Sequence, residues 1–206
     1  MDRDEAEIAL LPTAVLFDMD GTLTEPMLDF PRIKAEMGIG DRPILEALAE
    51  MSGPARAEAE AVLHRHEELA AAESTLNPGC RDVLEWIDAR GIRTALITRN
   101  SATSVRTVIE RHGLGIDLVL TRHDTKPKPD PEALHLACRR LEVREADAWM
   151  VGDGQYDVEA GNAAGVRTVW LSHNRERPFA AEPRAVVADL HSLLAMLQAC
   201  GQRTAV

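Results

Sequence analysis

Aromatic residues are scarce in this 206-residue chain, at 3%. Its core must therefore be assembled mainly from leucine, valine, isoleucine and alanine. Paired cysteines are also lacking. Cys80, Cys138 and Cys200 are far apart and form no Cys-x-x-Cys pair, which argues against a disulfide framework and points to reduced, structural thiols. Positive charge is short: 23 Lys and Arg face 34 Asp and Glu, for a net charge of −11. No basic run is strong enough to track a phosphate backbone, so nucleic acid is not an expected partner. No segment approaches the roughly 20 apolar residues of a membrane-spanning helix. The stretch Met1-Asp2-Arg3-Asp4-Glu5 lacks the basic flank and apolar run of a signal peptide. The expectation is a soluble, cytoplasmic protein, monomer or homodimer, made of one domain with an insertion or of two small domains.

What the chain does contain is a short apolar run, Ala14-Val15-Leu16-Phe17, that delivers two carboxylates, Asp18 and Asp20, and then breaks at Gly21. Two acids at the end of a buried strand are costly unless they hold a cation or do chemistry. From Leu28 to about Glu73 the pattern turns wholly helical, with helices expected near 29–37, 42–51 and 54–73. Asp41 and Ser52 are candidate N-caps there, and Pro43 and Pro54 suit first turns. Beyond Asn77-Pro78, strands alternate with helices of 10 to 13 residues. The expected strands lie near 92–98, 117–120, 147–151 and 167–171, and a final helix near 190–198. That alternation predicts an α/β fold, a parallel sheet with helices on both faces.

In open parallel sheets ligands gather beyond the carboxyl ends of the strands, and the conspicuous polar residues lie there. The first strand ends in Asp18 and Asp20, and the next in Thr98-Arg99-Asn100. The strand from Asp147 ends in Gly152-Asp153-Gly154, with Asp157 one helical turn further on. Before Asp130 stands Lys126-Pro127-Lys128-Pro129, whose prolines stiffen the backbone that aims a lysine. This set suits phosphoryl transfer through an aspartyl-phosphate. A carboxylate serves as nucleophile, and Mg²⁺ among the acids offsets the charge of the phosphate. A lysine and a hydroxyl stabilise the transferring oxygens.

Asp18-Met19-Asp20-Gly21-Thr22, Thr98, Lys126 in Lys-Pro-Lys-Pro-Asp-Pro, and Gly152-Asp153-Gly154-Gln155-Tyr156-Asp157 resemble, in order, the four motifs of the haloacid dehalogenase superfamily. The helical insertion resembles the cap of its phosphoglycolate phosphatase and β-phosphoglucomutase branch. The resemblance implies a Rossmann-like core of residues 1–24 and 77–206 and a small all-α cap of residues 25–76, inserted after the first strand. It implies Asp18 as nucleophile and metal ligand, and Asp20 as general acid and base with its backbone carbonyl on the metal. Thr98 and Lys126 then act on the phosphoryl group, Asp153 binds Mg²⁺, and Asp157 supports the metal through a water. Arg99 and Asn100 are candidate substrate contacts. Arg99 follows Thr98 where many relatives have Asn, Thr125 precedes Lys126 where Gly is usual, and Gly154 stands where Ser is common.

The implied activity is Mg²⁺-dependent hydrolysis of a small phosphorylated metabolite. A phosphomutase of the β-phosphoglucomutase type is the enzymatic alternative, and a receiver-like regulatory domain the non-enzymatic one. Lys128 is expected to be a solvated neighbour of Lys126, and Ser172–Arg177 a solvated charged loop. His64 and His66 diverge on a helix, His123 is expected at the surface, and Met27, Met37 and Met51 are expected to pack the cap. Arg32, Lys34 and Arg42 are expected to be exposed helix charges.

Overall fold

The computed structural model describes residues 10–204. Strand β1 (Ala14–Phe17) is completely buried, and its residues divide between two apolar layers. Val15 and Phe17 join one cluster, Ala14 and Leu16 the other. Pleating sends consecutive side chains to opposite faces, and a strand covered on both faces reads as an unbroken apolar run. Around β1 lie β2 (Arg93–Ile97), β3 (Leu118–Leu120), β4 (Ala148–Gly152), β5 (Arg167–Leu171) and β6 (Ala185–Val187). The six strands are ordered β3-β2-β1-β4-β5-β6 and every neighbouring pair is parallel. Strand β6 lies outside the sequence expectation. It is three residues long, sits at the sheet edge and follows Pro183-Arg184, so it carries too little pattern to read.

The insertion after β1 holds α1 (Phe30–Met37), α2 (Ile44–Glu50) and α3 (Gly53–Glu73). The sheet is then covered by α4 (Cys80–Asp88), α5 (Ala102–His112), α6 (Glu132–Leu141), α7 (Gln155–Ala164) and α8 (Leu190–Thr204). Buried residues of α4, α5 and α8 pack with Val15 and Phe17, and those of α6 and α7 with Ala14 and Leu16. Helices therefore cover both faces, as the alternation predicts. The three cysteines are buried, and no helix among the described residues is long and apolar enough to cross a membrane.

The insertion has an apolar cluster of its own, centred on Ile33, Met37, Ile44, Leu48 and Leu63, with Met51 against it. Met27 is instead exposed. Helix α3 reaches further, because Ala71 near its end belongs to the core cluster that contains Phe17. The chain enters and leaves the insertion side by side. Glu25 N donates to Thr75 O at 3.0 Å, and Thr24 bridges Leu76 in antiparallel fashion. The expected side-chain caps do not form. Neither α2 nor α3 has a side-chain cap bond, and Asp29 caps α1 instead, accepting from Arg32 N at 3.0 Å. Asn77 Nδ2 donates to Thr22 O at 2.8 Å and Thr24 O at 2.9 Å, so this buried amide braces the turn after β1.

Candidate active site

Strand order reverses between β1 and β4, and a crevice opens beyond the carboxyl ends at such a switch point. Asp18 leaves β1 there, its amide still bonded to Val151 O of β4 at 2.9 Å. Asp153 leaves β4 beside it. One carboxylate oxygen each from Asp18, Asp153 and Asp157 lie within 4.8 Å of one another. Gly21 adopts φ +77°, and a Cβ there would stand 2.5 Å from Asp153 Oδ2. The turn after β1 thus needs glycine both for its left-handed backbone and for room beside a carboxylate.

The lysine at this cluster is Lys128, which corrects the expectation for Lys126. Lys128 Nζ donates to Asp18 Oδ1 at 2.7 Å, Ile97 O at 2.6 Å and Asp157 Oδ1 at 2.5 Å, so its three protons are all engaged. Its side chain is 2% exposed, whereas that of Lys126 is 73% exposed and reaches only Asp130, at 3.7 Å. The Lys-Pro-x-Pro spacing occurs twice, two residues apart, starting at Lys126 and again at Lys128. The sequence pattern fits both registers, and burial chooses the second. Burial opposes the charge of Lys128, but Asp157 and Asp18 outweigh it and raise its pKa. Burial pushes Asp18 well above the usual carboxylate range, with Lys128 opposing and Asp157 and Asp153 adding to the rise. Asp153 is raised by burial and then by Asp157. Asp157 Oδ2 accepts from Gly154 N at 3.0 Å, the bond of a helix start.

Asp20 lies at the mouth of the crevice, bonded to Asn100 Nδ2 at 2.5 Å. Burial raises its pKa to about 6, against the pull of that amide. Thr98, buried at the end of β2, accepts from Asn100 N at 3.2 Å through Oγ1. Arg99 turns toward the insertion. It donates to both oxygens of Glu46 on α2 at 3.0 and 2.9 Å and to the main-chain oxygen of Lys128. Its guanidinium also stacks 4.3 Å from the ring centroid of Tyr156.

The model of the haloacid dehalogenase-like hydrolase family matches residues 29–165, well over half of the sequence. The chain belongs to that family. It is 32% identical to the phosphoglycolate phosphatase of Pseudomonas fluorescens, over 89% of this chain and 79% of that protein. To an uncharacterized hydrolase of Saccharomyces cerevisiae it is 31% identical, over 90% of each. In fold it resembles a hydrolase from Pseudomonas syringae, with a TM-score of 0.77 and 19% identity, covering 90% of this chain and 97% of that one.

In this haloacid dehalogenase-like hydrolase the loop after β5 is not simply solvated, another correction. His173 Nε2 donates to Gly21 O at 2.6 Å, and Arg175 Nη2 lies 3.1 Å from Asp153 Oδ2. Such a loop carries no periodicity that announces the contact. Glu67, on α3, is also a residue that sequence reasoning passed over. It is 2% exposed, pairs with Arg122, and accepts from Ser101 N at 3.3 Å and Ser104 Oγ at 3.5 Å. The insertion is thereby joined to the loop that carries Thr98 and Asn100. His123 is exposed, as expected. Arg32, Lys34 and Arg42 bond within the insertion, to Glu36, Asp41 O and Glu50.

Proposed function

We propose that this hydrolase cleaves small phosphate monoesters through a phosphoaspartate formed on Asp18. The observation that carries the reading is the fully buried Lys128 amine shared by Asp18 and Asp157, with Asp20 held by Asn100 at the mouth of the same crevice. Asp18 attacks phosphorus, and the ester oxygen leaves with the proton of Asp20. Asp20 then takes a proton from water, whose oxygen displaces Asp18 and releases inorganic phosphate. A carboxyl with a pKa near 6 is suited to both halves of that exchange. Lys128 orients Asp18 and offsets charge on the transferring oxygens, and Thr98 supplies a hydroxyl to them.

The acids fit a hard divalent cation such as Mg²⁺. Their donors are all oxygen, they converge, and Gly21 leaves the space beside Asp153 open. Asp18, Asp153 and the Asp20 carbonyl would hold the ion, with Asp157, already engaged by Lys128 and Gly154, acting from behind through a water. When bound, it neutralises a phosphate that these carboxylates would otherwise repel. Residues 25–76 act as a helical cap on a core of residues 1–24 and 77–206. Because Glu67 and Ala71 root α3 in that core, lid motion is confined to the part of the cap before Glu67.

The names of the curated relatives make 2-phosphoglycolate the first substrate to test. The test is release of inorganic phosphate from 2-phosphoglycolate and from an aryl phosphate, with and without Mg²⁺. Mg²⁺-dependent release that disappears in Asp18→Asn supports the reading. No release, or an Asp18→Asn variant as active as the parent, overturns it. Release without any added sugar bisphosphate decides for hydrolysis over a mutase.

A further inference from the structure

Arg99 links three of the four segments that carry the reactive groups, all but the turn of Asp18 and Asp20. It follows Thr98 directly, donates to the main-chain oxygen of Lys128, and stacks on Tyr156, three residues beyond Asp153. Its side chain is 19% exposed. One terminal nitrogen, Nη2, already holds both oxygens of a carboxylate, that of Glu46, which descends from α2 of the insertion and is itself 43% exposed. A charge-assisted contact from a guanidinium nitrogen is among the stronger ways to hold a carboxylate. An ion pair with one half-solvated partner is also weakly held, so another carboxylate can replace it.

The other cations around the crevice are committed differently. Lys128 spends its three protons on Asp18, Ile97 and Asp157. Arg122 is paired with the buried Glu67, and Arg175 with Asp153. Among these four cations of the described site, Arg99 is the one bound to an exposed carboxylate from the covering helices.

We propose that Arg99 is the specificity-determining residue of this site. It receives a carboxylate at the non-transferred end of the substrate, and Glu46 occupies its Nη2 until substrate arrives. The substrate class is then small phosphorylated carboxylic acids, and a neutral phosphate ester of equal length is a poor substrate. This rests on the phosphatase reading above and adds to it the chemistry of the group left behind.

The experiment compares kcat/KM of the full chain for 2-phosphoglycolate and for 2-hydroxyethyl phosphate, which replaces the carboxylate by a neutral group. The parent should prefer the acid. Arg99→Gln should lower the ratio at least about tenfold, the loss of a charge-assisted contact. Arg99→Lys should restore only part of it. Glu46→Gln removes the competing carboxylate and should lower KM for 2-phosphoglycolate. If Arg99 only latched the insertion down, Arg99→Gln and Glu46→Gln would change both substrates alike, and the proposal falls. A parent that prefers the neutral ester also overturns it. Calorimetric binding of 2-phosphoglycolate to Asp18→Asn, with and without Arg99→Gln, separates this proposal from the phosphatase reading. Affinity lost with Arg99 supports the assignment even where turnover is absent, and unchanged affinity rejects it.

Discussion

Lys128 donates to the Asp18 carboxylate at 2.7 Å from a side chain that is 2% exposed. Its neighbour by two residues, Lys126, stands in water. Lys128→Met should therefore abolish measurable turnover, because it removes the partner of Asp18 and Asp157 together. Lys126→Ala should keep activity within about twofold, as exposed pairs contribute little. Steady-state assays of the two variants check this, and the reverse pattern would restore the lysine favoured by sequence alone.

Asp20 gives a stability prediction with a definite sign. Its pKa is raised from 3.8 to about 6 by burial, so the folded protein holds this proton more tightly than the unfolded chain. Its contribution is most favourable below about pH 3.8, declines as pH rises from there through 6, and is unfavourable at neutral pH. Asp20→Asn should then stabilise the metal-free protein at pH 7.5 by on the order of 1–3 kcal/mol. At pH 4 it should change little. Thermal denaturation at the two pH values decides, and an equal shift at both would refute the assignment.

Glu67 and Arg122 make a buried pair between α3 and the loop after β3. Glu67→Ala leaves the Arg122 charge without its counter-ion, and should cost about 3–5 kcal/mol. Replacing both residues by methionine should cost less than Glu67→Ala, since no uncompensated charge remains. Chemical denaturation of the single and double variants measures the difference. Equal losses would show that packing, not charge, sets the cost.

Divalent metal should stabilise the fold through the Asp18, Asp153 and Asp157 cluster. Mg²⁺ at about one hundred times its dissociation constant should add about 2.7 kcal/mol. Asp153→Asn should abolish the melting shift. Gly21→Ala should reduce it too, because the new Cβ would stand 2.5 Å from Asp153 Oδ2 on a strained backbone. A shift that survives both substitutions would put the ion elsewhere.

The sheet was legible because its strands are buried on both faces and helices separate them, so Val15 and Phe17 or Ala14 and Leu16 declare their layers by spacing. Asp18, Asp20, Thr98 and Asp153 were legible because each ends a strand at one sheet edge. The repeated Lys-Pro step gave two equivalent registers, and only burial tells Lys128 from Lys126. Glu46, Glu67 and Arg175 act by reaching across the fold to Arg99, Arg122 and Asp153. Long-range pairs of charges leave no local periodicity, so each looks like one more surface charge. Strand β6 is too short to carry an alternation.

The paired backbone at Thr24 and Leu76 has a consequence for how such a protein can change. Everything between those two residues is a loop whose feet are already tied, so altering its length adds little closure entropy, about 0.6 kcal/mol for each doubling. Asp18 and Asp20 sit on the near side of that knot, braced by Asn77 from the far side. The part of the insertion before Glu67 can be lengthened or traded above it while the acids keep their places. The length of the insertion can thus drift while the turn that carries the two acids stays tied.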